Sequence, residues 1–291
     1  MVHRSSKISD VIKLHEKDNQ ATLNKFSVFC AANTQMPFKY KKLVFDAAVM
    51  SSLLYSSESW LTDNVKPISA QYNQLVRCLL GVRKNTCMDL CLVEAGIPPA
   101  KDVILKRRSK YLKSIVDADD RELPLTIAFG MCKDSNTPGY QYISKCIRYN
   151  IGLNPLSAIV EVIKSRCADS TKYRTYATVL NPSLSLHAIY NTSIYIPDYQ
   201  RVAFSRIRLM SHNLRIETGR WSRTPPDRRV CSCDNIQPQT EEHVLIYCHL
   251  TQNLRMNYPM LNFSDIHFLF REQSKIDLLC SYINDVQRFF A

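Results

Sequence analysis

Only six of the 291 residues are glycine, and that scarcity constrains the fold more than any other feature of the chain. Tight hairpin turns and bulges draw on glycine for backbone with positive φ, so a sheet-rich protein of this length needs many more. Apolar residues recur instead at helical spacing. Between 38 and 60, Leu43, Val44, Ala47, Ala48, Leu54 and Tyr55 return at steps of three and four. Asp63 or Asn64 is placed to cap a next helix through Ile68, Tyr72, Leu75, Val76 and Leu79, which stops at Gly81. The run MDLCLVEAG predicts a short helix ending at Gly96, and Pro98 and Pro99 launch another over about 100–117. Further helices are expected around 122–133, 139–149, 155–167 and 198–216, with a last pair in 250–290. The fold class that follows is mainly α.

Punctuation suggests the domain organisation. The first 20 residues are polar and read as a partly ordered N-terminus, and DSNTPG at 134–139 reads as a loop. The stretch 168–198 is rich in Ser, Thr, Asn and Pro, interleaved with Tyr173, Tyr176, Tyr190 and Tyr195, and reads as irregular structure or a linker. A helical domain is therefore expected over 21–180 and a second over 181–291.

Composition excludes several classes. Hydrophobic residues make up 45% and charged residues 22% of the chain, as in packed globular proteins and unlike disordered ones. No window approaches 18 uninterrupted apolar residues, and the start MVHRSSKISD lacks the apolar core of a secretory signal. A nuclear or cytoplasmic location is expected, so closely spaced cysteines read as metal ligands before disulfides. Most of the 11 cysteines sit singly in apolar patterns. Cys30, Cys78, Cys132, Cys146, Cys167 and Cys280 read as small buried hydrophobes. Cys87 and Cys91, four apart with no histidine nearby, also read as packing.

Charge points to the partner. Lys and Arg total 38 against 26 acids, a formal net charge of +12, and polyanions are the natural ligands of such a surplus. The excess is concentrated. Residues 101–113 hold six cations against one acid, and residues 200–230 hold eight arginines against two, so these two stretches carry nearly all of it. In the first, Lys106, Lys110 and Lys113 share one helix face, with Arg107 beside them and Ile104, Leu105, Tyr111, Leu112 and Ile115 opposite. In the second, Arg201, Arg206, Arg208, Arg215, Arg220 and Arg223 are candidate phosphate contacts, because the planar guanidinium donates paired hydrogen bonds to phosphate. The lysine helix has no Trp or Phe on its apolar face, which argues against a membrane surface.

A single constellation has metal-ligand spacing. CSCDNIQPQTEEHVLIYC offers Cys231, Cys233, His243 and Cys248, three thiolates and one imidazole, the donor set of a closed structural Zn²⁺ site. Asp234, Asn235 and Pro238 supply a turn, and Thr240 with Glu241 and Glu242 a helix start leading into His243. His243 and Cys248 are five apart, which on a regular α-helix separates them by about 140°. Both reach one ion only if Cys248 lies beyond the helix end or the last turn is distorted; His249 is a substitute ligand. Bound zinc would stabilise this segment by on the order of 10 kcal/mol.

No catalytic constellation accompanies it. Asp117-Ala-Asp-Asp120 superficially matches a polymerase carboxylate box but ends a helix and is followed by Arg121, Glu122, Leu123 and Pro124. The chain carries no glycine-rich phosphate loop, no G-x-S-x-G and no H-E-x-x-H. No enzymatic activity of its own and no small-molecule substrate are expected.

Two stretches resemble the LINE-type (non-LTR) retrotransposon reverse transcriptases. One is MPFKYKKLVFDAAVMSSLLYSSESW at 36–60, with Ser52, Leu54, Tyr55, Glu58 and Trp60 as its core, continuing through YNQLVRCLLGVR and TCMDLCLVEAGIPP. It is similar to the helical segment that follows the palm. The other is RVAFSRIRLMSHNLRIETGRW with RRVCSCDN and EEHVLIYC, similar to the C-terminal arginine-rich region and Cys-Cys-His-Cys knuckle. Together they span about half the chain. The resemblance implies a thumb-like helical bundle followed by a small zinc-knuckle domain, gripping template–primer duplex, element RNA or target DNA. Fingers, palm and catalytic aspartates have no counterpart, so it also implies a truncated fragment that binds RNA or DNA without polymerising. The competing expectation is a zinc-stabilised helical module for protein partners.

Overall fold

A computed structural model of the chain describes residues 8–60, 65–117, 130, 133, 135–136, 138–150, 155–192, 194–271 and 273–291. Among these residues the regular structure is helical, with one isolated antiparallel bridge between Val230 and Pro238. The protein is mainly α. The chain clusters into two compact units, each assembled from non-consecutive segments: Met1–Val28, Leu43–Val76 and Ile97–Ile159 in the first, and Phe29–Lys42, Arg77–Gly96 and Val160–Ala291 in the second. The expected helix at 122–133, the caps at Asp63 and Asn64, and Cys132 lie wholly or largely outside the described residues. Of the DSNTPG loop, Ser135 and Asn136 form a turn, and Pro138 and Gly139 already belong to a helix.

In the first unit, α1 (Ile8–Ala32) contributes Leu23 and Phe26 to the core. The Phe26 ring packs 5.8 Å from Phe45, which lies 6.1 Å from Tyr72 on α4 (Lys66–Leu80). α2 (Phe38–Val44), whose residues as far as Lys42 belong to the second unit, leads through a wide turn at Phe45–Val49, closed by the Met50 N–H on the Phe45 carbonyl, into α3 (Met50–Leu53). α6 (Ala100–Val116) packs on α7 (Pro138–Asn150), where the Ser109 hydroxyl donates to the Cys146 carbonyl at 3.0 Å. Residues 8–20, expected to be only partly ordered, belong to α1. The Gln71 amide donates to the Glu16 carbonyl at 2.7 Å, and His15 Nε2 lies 2.8 Å from the Leu53 carbonyl.

In the second unit glycines end helices as expected: Gly81 at φ 70° and Gly96 at φ 62°, the latter closing α5 (Met88–Ala95). A side chain at Gly81 would also collide with Val202, whose Cγ2 lies 2.5 Å from the position of an added Cβ. α8 (Pro155–Arg166) and α9 (Thr171–Thr175) lead into a wide turn at Tyr176–Leu180. The helix expected over 198–216 is two helices, α10 (Asp198–Arg208) and α11 (Arg215–Trp221). Met210, in the left-handed region at φ 49°, ends the first, and the Ser211 N–H closes back on the Arg206 carbonyl at 2.7 Å. α12 (Gln252–Met256), α13 (Ile266–Arg271) and α14 (Ile276–Phe289) complete the chain, three helices where two were expected. α10 packs along α14 with Phe204, Ile207, Leu279 and Ile283 buried.

The 168–198 stretch is structural rather than a linker. Tyr173, Tyr176 and Tyr190 are buried, and the last two donate to the carboxylate of Glu94, itself fully buried, at 2.8 and 3.2 Å. Arg208 completes that carboxylate with a paired grip, Nε to Oε1 at 2.6 Å and Nη2 to Oε2 at 3.0 Å, while its Nη1 donates to the Leu180 carbonyl. The network continues from Tyr190 to Ser205 at 2.8 Å and from Ser205 to Arg201 at 3.1 Å. Arg201 then meets Asp198 at 2.7 Å, and the other oxygen of Asp198 accepts from Lys41 at 2.6 Å. Burial alone would raise the Glu94 pKa, but the Arg208 guanidinium prevails and holds it below the ordinary carboxylate range.

Because the folded-state pKa of Glu94 is depressed, its contribution is complete above the unfolded value and is lost as pH falls through the folded one. Removing one member of a buried pair strands the other, so Glu94→Ala should cost about 3–5 kcal/mol. Urea unfolding at neutral pH checks this. A loss below about 1 kcal/mol, within the range of an exposed pair, would contradict a buried, coupled network.

Candidate metal centre and basic faces

Local sequence builds the cysteine–histidine cluster in three steps. First, the Asp234 side chain accepts the Ile236 and Gln237 N–H groups at 2.9 and 3.1 Å, and Asn235 takes φ 56°, forming the turn predicted from these residues. Second, the Val230–Pro238 bridge closes the loop, with the Cys231 N–H on the Gln237 carbonyl at 2.7 Å and the Gln239 N–H on the Arg229 carbonyl at 2.8 Å. Third, the Thr240 hydroxyl accepts the His243 N–H at 3.1 Å and starts the helical segment that carries the imidazole.

The five-residue separation of His243 and Cys248 is resolved by a change of helix. His243–Tyr247 winds as a wide π-type turn, closed by the Cys248 N–H on the His243 carbonyl at 2.7 Å. Cys248 itself is extended, at φ −60° and ψ 129°, just past the end. Both conditions inferred from the spacing are met. His249 is exposed and is not one of the four clustered residues.

The donor atoms of Cys231, Cys233, His243 and Cys248 all lie within 4.8 Å of one another, so this cluster could hold a metal ion. Cys231 Sγ and Cys248 Sγ are 3.7 Å apart, and Cys233 Sγ lies 3.2 Å from His243 Nε2. Metal–sulfur bonds of about 2.3 Å in a tetrahedron put sulfurs about 3.8 Å apart, a separation that the first distance matches. His243 Nδ1 lies 2.9 Å from the Gln237 amide oxygen. A proton on Nδ1 donates to that oxygen and leaves the Nε2 lone pair facing the sulfurs. Burial lowers the His243 pKa, which favours the neutral, ligating imidazole. Burial, followed by the neighbouring Cys231 and Cys248 thiols, pushes Cys233 up to about 12. Clustered thiols resist becoming thiolates until a cation compensates them.

The cluster is anchored from outside. The Gln239 amide points at Cys231 Sγ from 3.7 Å, and its oxygen accepts the Arg215 N–H at the start of α11 at 2.7 Å. Buried His212 and Glu241 meet at 2.8 Å, and Arg255 donates to the Cys248 carbonyl at 2.9 Å. Gln237 and Gln239 have no ligand signature in the sequence, being polar residues in a turn until the fold aims them.

The ten expected phosphate contacts divide. Lys106, Lys110 and Lys113 are exposed on α6, as their shared face implies. Arg107 is only partly exposed and donates to the Leu54 and Met50 carbonyls at 2.7 and 3.3 Å. Arg201 and Arg208 correct the expectation. Both are 2% exposed, and their guanidiniums are held by the buried carboxylates of Asp198 and Glu94 and by backbone carbonyls, with no donor turned outward. Their spacing carried a signal: Arg201, Phe204, Ser205 and Arg208 fall on one helix face, the apolar one. Arg206, Arg215 and Arg223 are exposed, while Arg220 is one-third exposed and pairs with Glu217 at 3.1 Å.

No protein-family model matches the chain, and no curated protein or solved structure matches it. Among the described residues no helix is long and apolar enough to cross a membrane.

The Gln237 contact predicts a measurable loss. Gln237→Ala should weaken metal binding about 10- to 100-fold while leaving one ion per chain at saturation. A chelator-competition titration checks this, and an unchanged affinity would show that Gln237 does not orient the imidazole.

Proposed function

We propose that this chain is a nucleic-acid-binding region related to the post-palm thumb and zinc knuckle of LINE-type reverse transcriptases, working through phosphate contacts without chemistry of its own. The ion we assign to Cys231, Cys233, His243 and Cys248 is Zn²⁺. Three thiolates with one imidazole suit it, four protein donors leave no coordination position for a reactive water, and a reducing compartment keeps the sulfurs free.

The observation that carries the reading is the placement of the positive charge. Lys106, Lys110 and Lys113 are exposed along one face of α6, and Arg206, Arg215 and Arg223 are exposed in the segment leading to the cysteine–histidine cluster. Like charges gathered on one face repel, and a phosphate backbone is the ligand that offsets that cost along a line. The burial of Arg201 and Arg208 narrows the binding set without removing it. A second reading, a zinc-stabilised module for protein partners, draws on Ile236 and Tyr247, which the cluster leaves exposed.

A salt series with duplex DNA and structured RNA separates the two. The nucleic-acid reading expects log affinity to fall linearly with log salt, with a slope of roughly −0.9 per neutralised phosphate on duplex DNA. Replacing Lys106, Lys110 and Lys113 by Ala should make that slope shallower by up to about 2.7, the share of three phosphates. Absence of binding to either polymer in dilute buffer would discard the reading in favour of the protein-partner module.

A further inference from the structure

The chain has two tryptophans, and they are treated differently. Trp60 is buried at 8% exposure, whereas Trp221, the last residue of α11, is 54% exposed. A large aromatic ring left in water forgoes the stabilisation that burial would give it. One face of this ring is nevertheless covered, because the Arg83 guanidinium lies 4.3 Å from its centroid. Arg83 is fixed in turn: its guanidinium donates to the Asn213 side chain, and its backbone N–H donates to Ser211 Oγ at 2.9 Å. Trp221 is therefore a ring backed by a fixed guanidinium and more than half exposed to solvent.

Cations gather near it. Arg220 precedes Trp221, and Arg223 follows it, exposed and in the left-handed region at φ 55°. Arg206 donates one nitrogen to the Gly81 carbonyl at 2.9 Å. Arg206 is exposed, and the charges of Arg83 and Arg201 act on it. Glu217 is buried and shared between Arg220 at 3.1 Å and Lys172 at 3.6 Å. Arg220 and Arg223 thus flank Trp221 along the chain, and Arg206 lies close enough to Arg83 for their charges to repel.

We propose that Trp221 is a stacking platform for an unpaired base of single-stranded nucleic acid, with Arg206 and Arg223 taking the flanking phosphates. The proposal rests on the nucleic-acid reading above and makes it more specific. Bases inside a duplex are stacked on one another and offer no free face, whereas a single strand presents one at every nucleotide.

The test compares oligo(dT) with duplex DNA, using the full chain loaded with zinc. Stacking of a base on an aromatic predicts roughly a 5- to 100-fold loss of oligo(dT) affinity in Trp221→Ala, with duplex affinity changed by less than about twofold. Because Trp60 is shielded, oligo(dT) should also quench the tryptophan emission of the unsubstituted protein, which guards against a variant that folds poorly. Unchanged oligo(dT) affinity in a folded Trp221→Ala protein, or no quenching at saturation, would overturn the platform and leave the phosphate-binding reading standing. Failure of the unsubstituted protein to bind either polymer would overturn both.

Discussion

The second unit is organised by a charge that has been taken out of water. Glu94 is completely buried, and a bare carboxylate there would be too costly to keep ionised. Its cost is offset because every oxygen is satisfied: a two-point guanidinium grip from Arg208 and hydroxyl donors from Tyr176 and Tyr190. Those partners come from α10, the wide turn at Tyr176–Leu180 and the short turn at Ala188–Tyr190. One carboxylate thereby fixes the relative positions of segments that are polar and irregular in sequence. A second buried acid, Asp198, does the same between Lys41 and Arg201, and Ser205 joins the two groups.

That arrangement has a consequence at the surface. A guanidinium committed to a buried carboxylate cannot also meet a phosphate, so Arg201 and Arg208 are withdrawn from any binding face. Of the candidate arginines, Arg206, Arg215 and Arg223 remain exposed, and Arg206 shares its helix with the inward-facing pair. The cysteine–histidine cluster follows a comparable logic on a smaller scale. A regular helix would throw His243 and Cys248 apart, and the wide turn between them, closed from Cys248 back to His243, brings both donors to one point. Gln237 and Gln239 then set the imidazole and one sulfur from outside the ligand ring.

Much of the architecture was legible because it depends on local rules. Helix ends at Gly81 and Gly96 follow from backbone freedom, α6 from its prolines and spacing, and the turn at Asp234–Asn235 from side-chain capping. The four candidate ligands were legible because thiol and imidazole spacing survives without knowledge of the fold. What stayed hidden depends on distant partners. Charge counting treats arginine as a surface residue, and only the three-dimensional neighbourhood, with Glu94 more than a hundred residues away along the chain, turns Arg208 inward. The tyrosines between 168 and 198 looked like linker residues for the same reason, since their hydroxyl partners lie in other segments. The break at Met210 had no glycine or proline to announce it.

The central claim is that exposed cations, and not the buried ones, meet a phosphate backbone. Chemical footprinting of lysine and arginine side chains with and without duplex DNA tests it directly. The account predicts that Lys106, Lys110, Lys113, Arg206, Arg215 and Arg223 lose reactivity when DNA is bound, while Arg201 and Arg208 are unreactive in both states. Reactivity unchanged at the exposed positions under saturating DNA, or reagent reaching Arg201 and Arg208 in the folded protein, would contradict it.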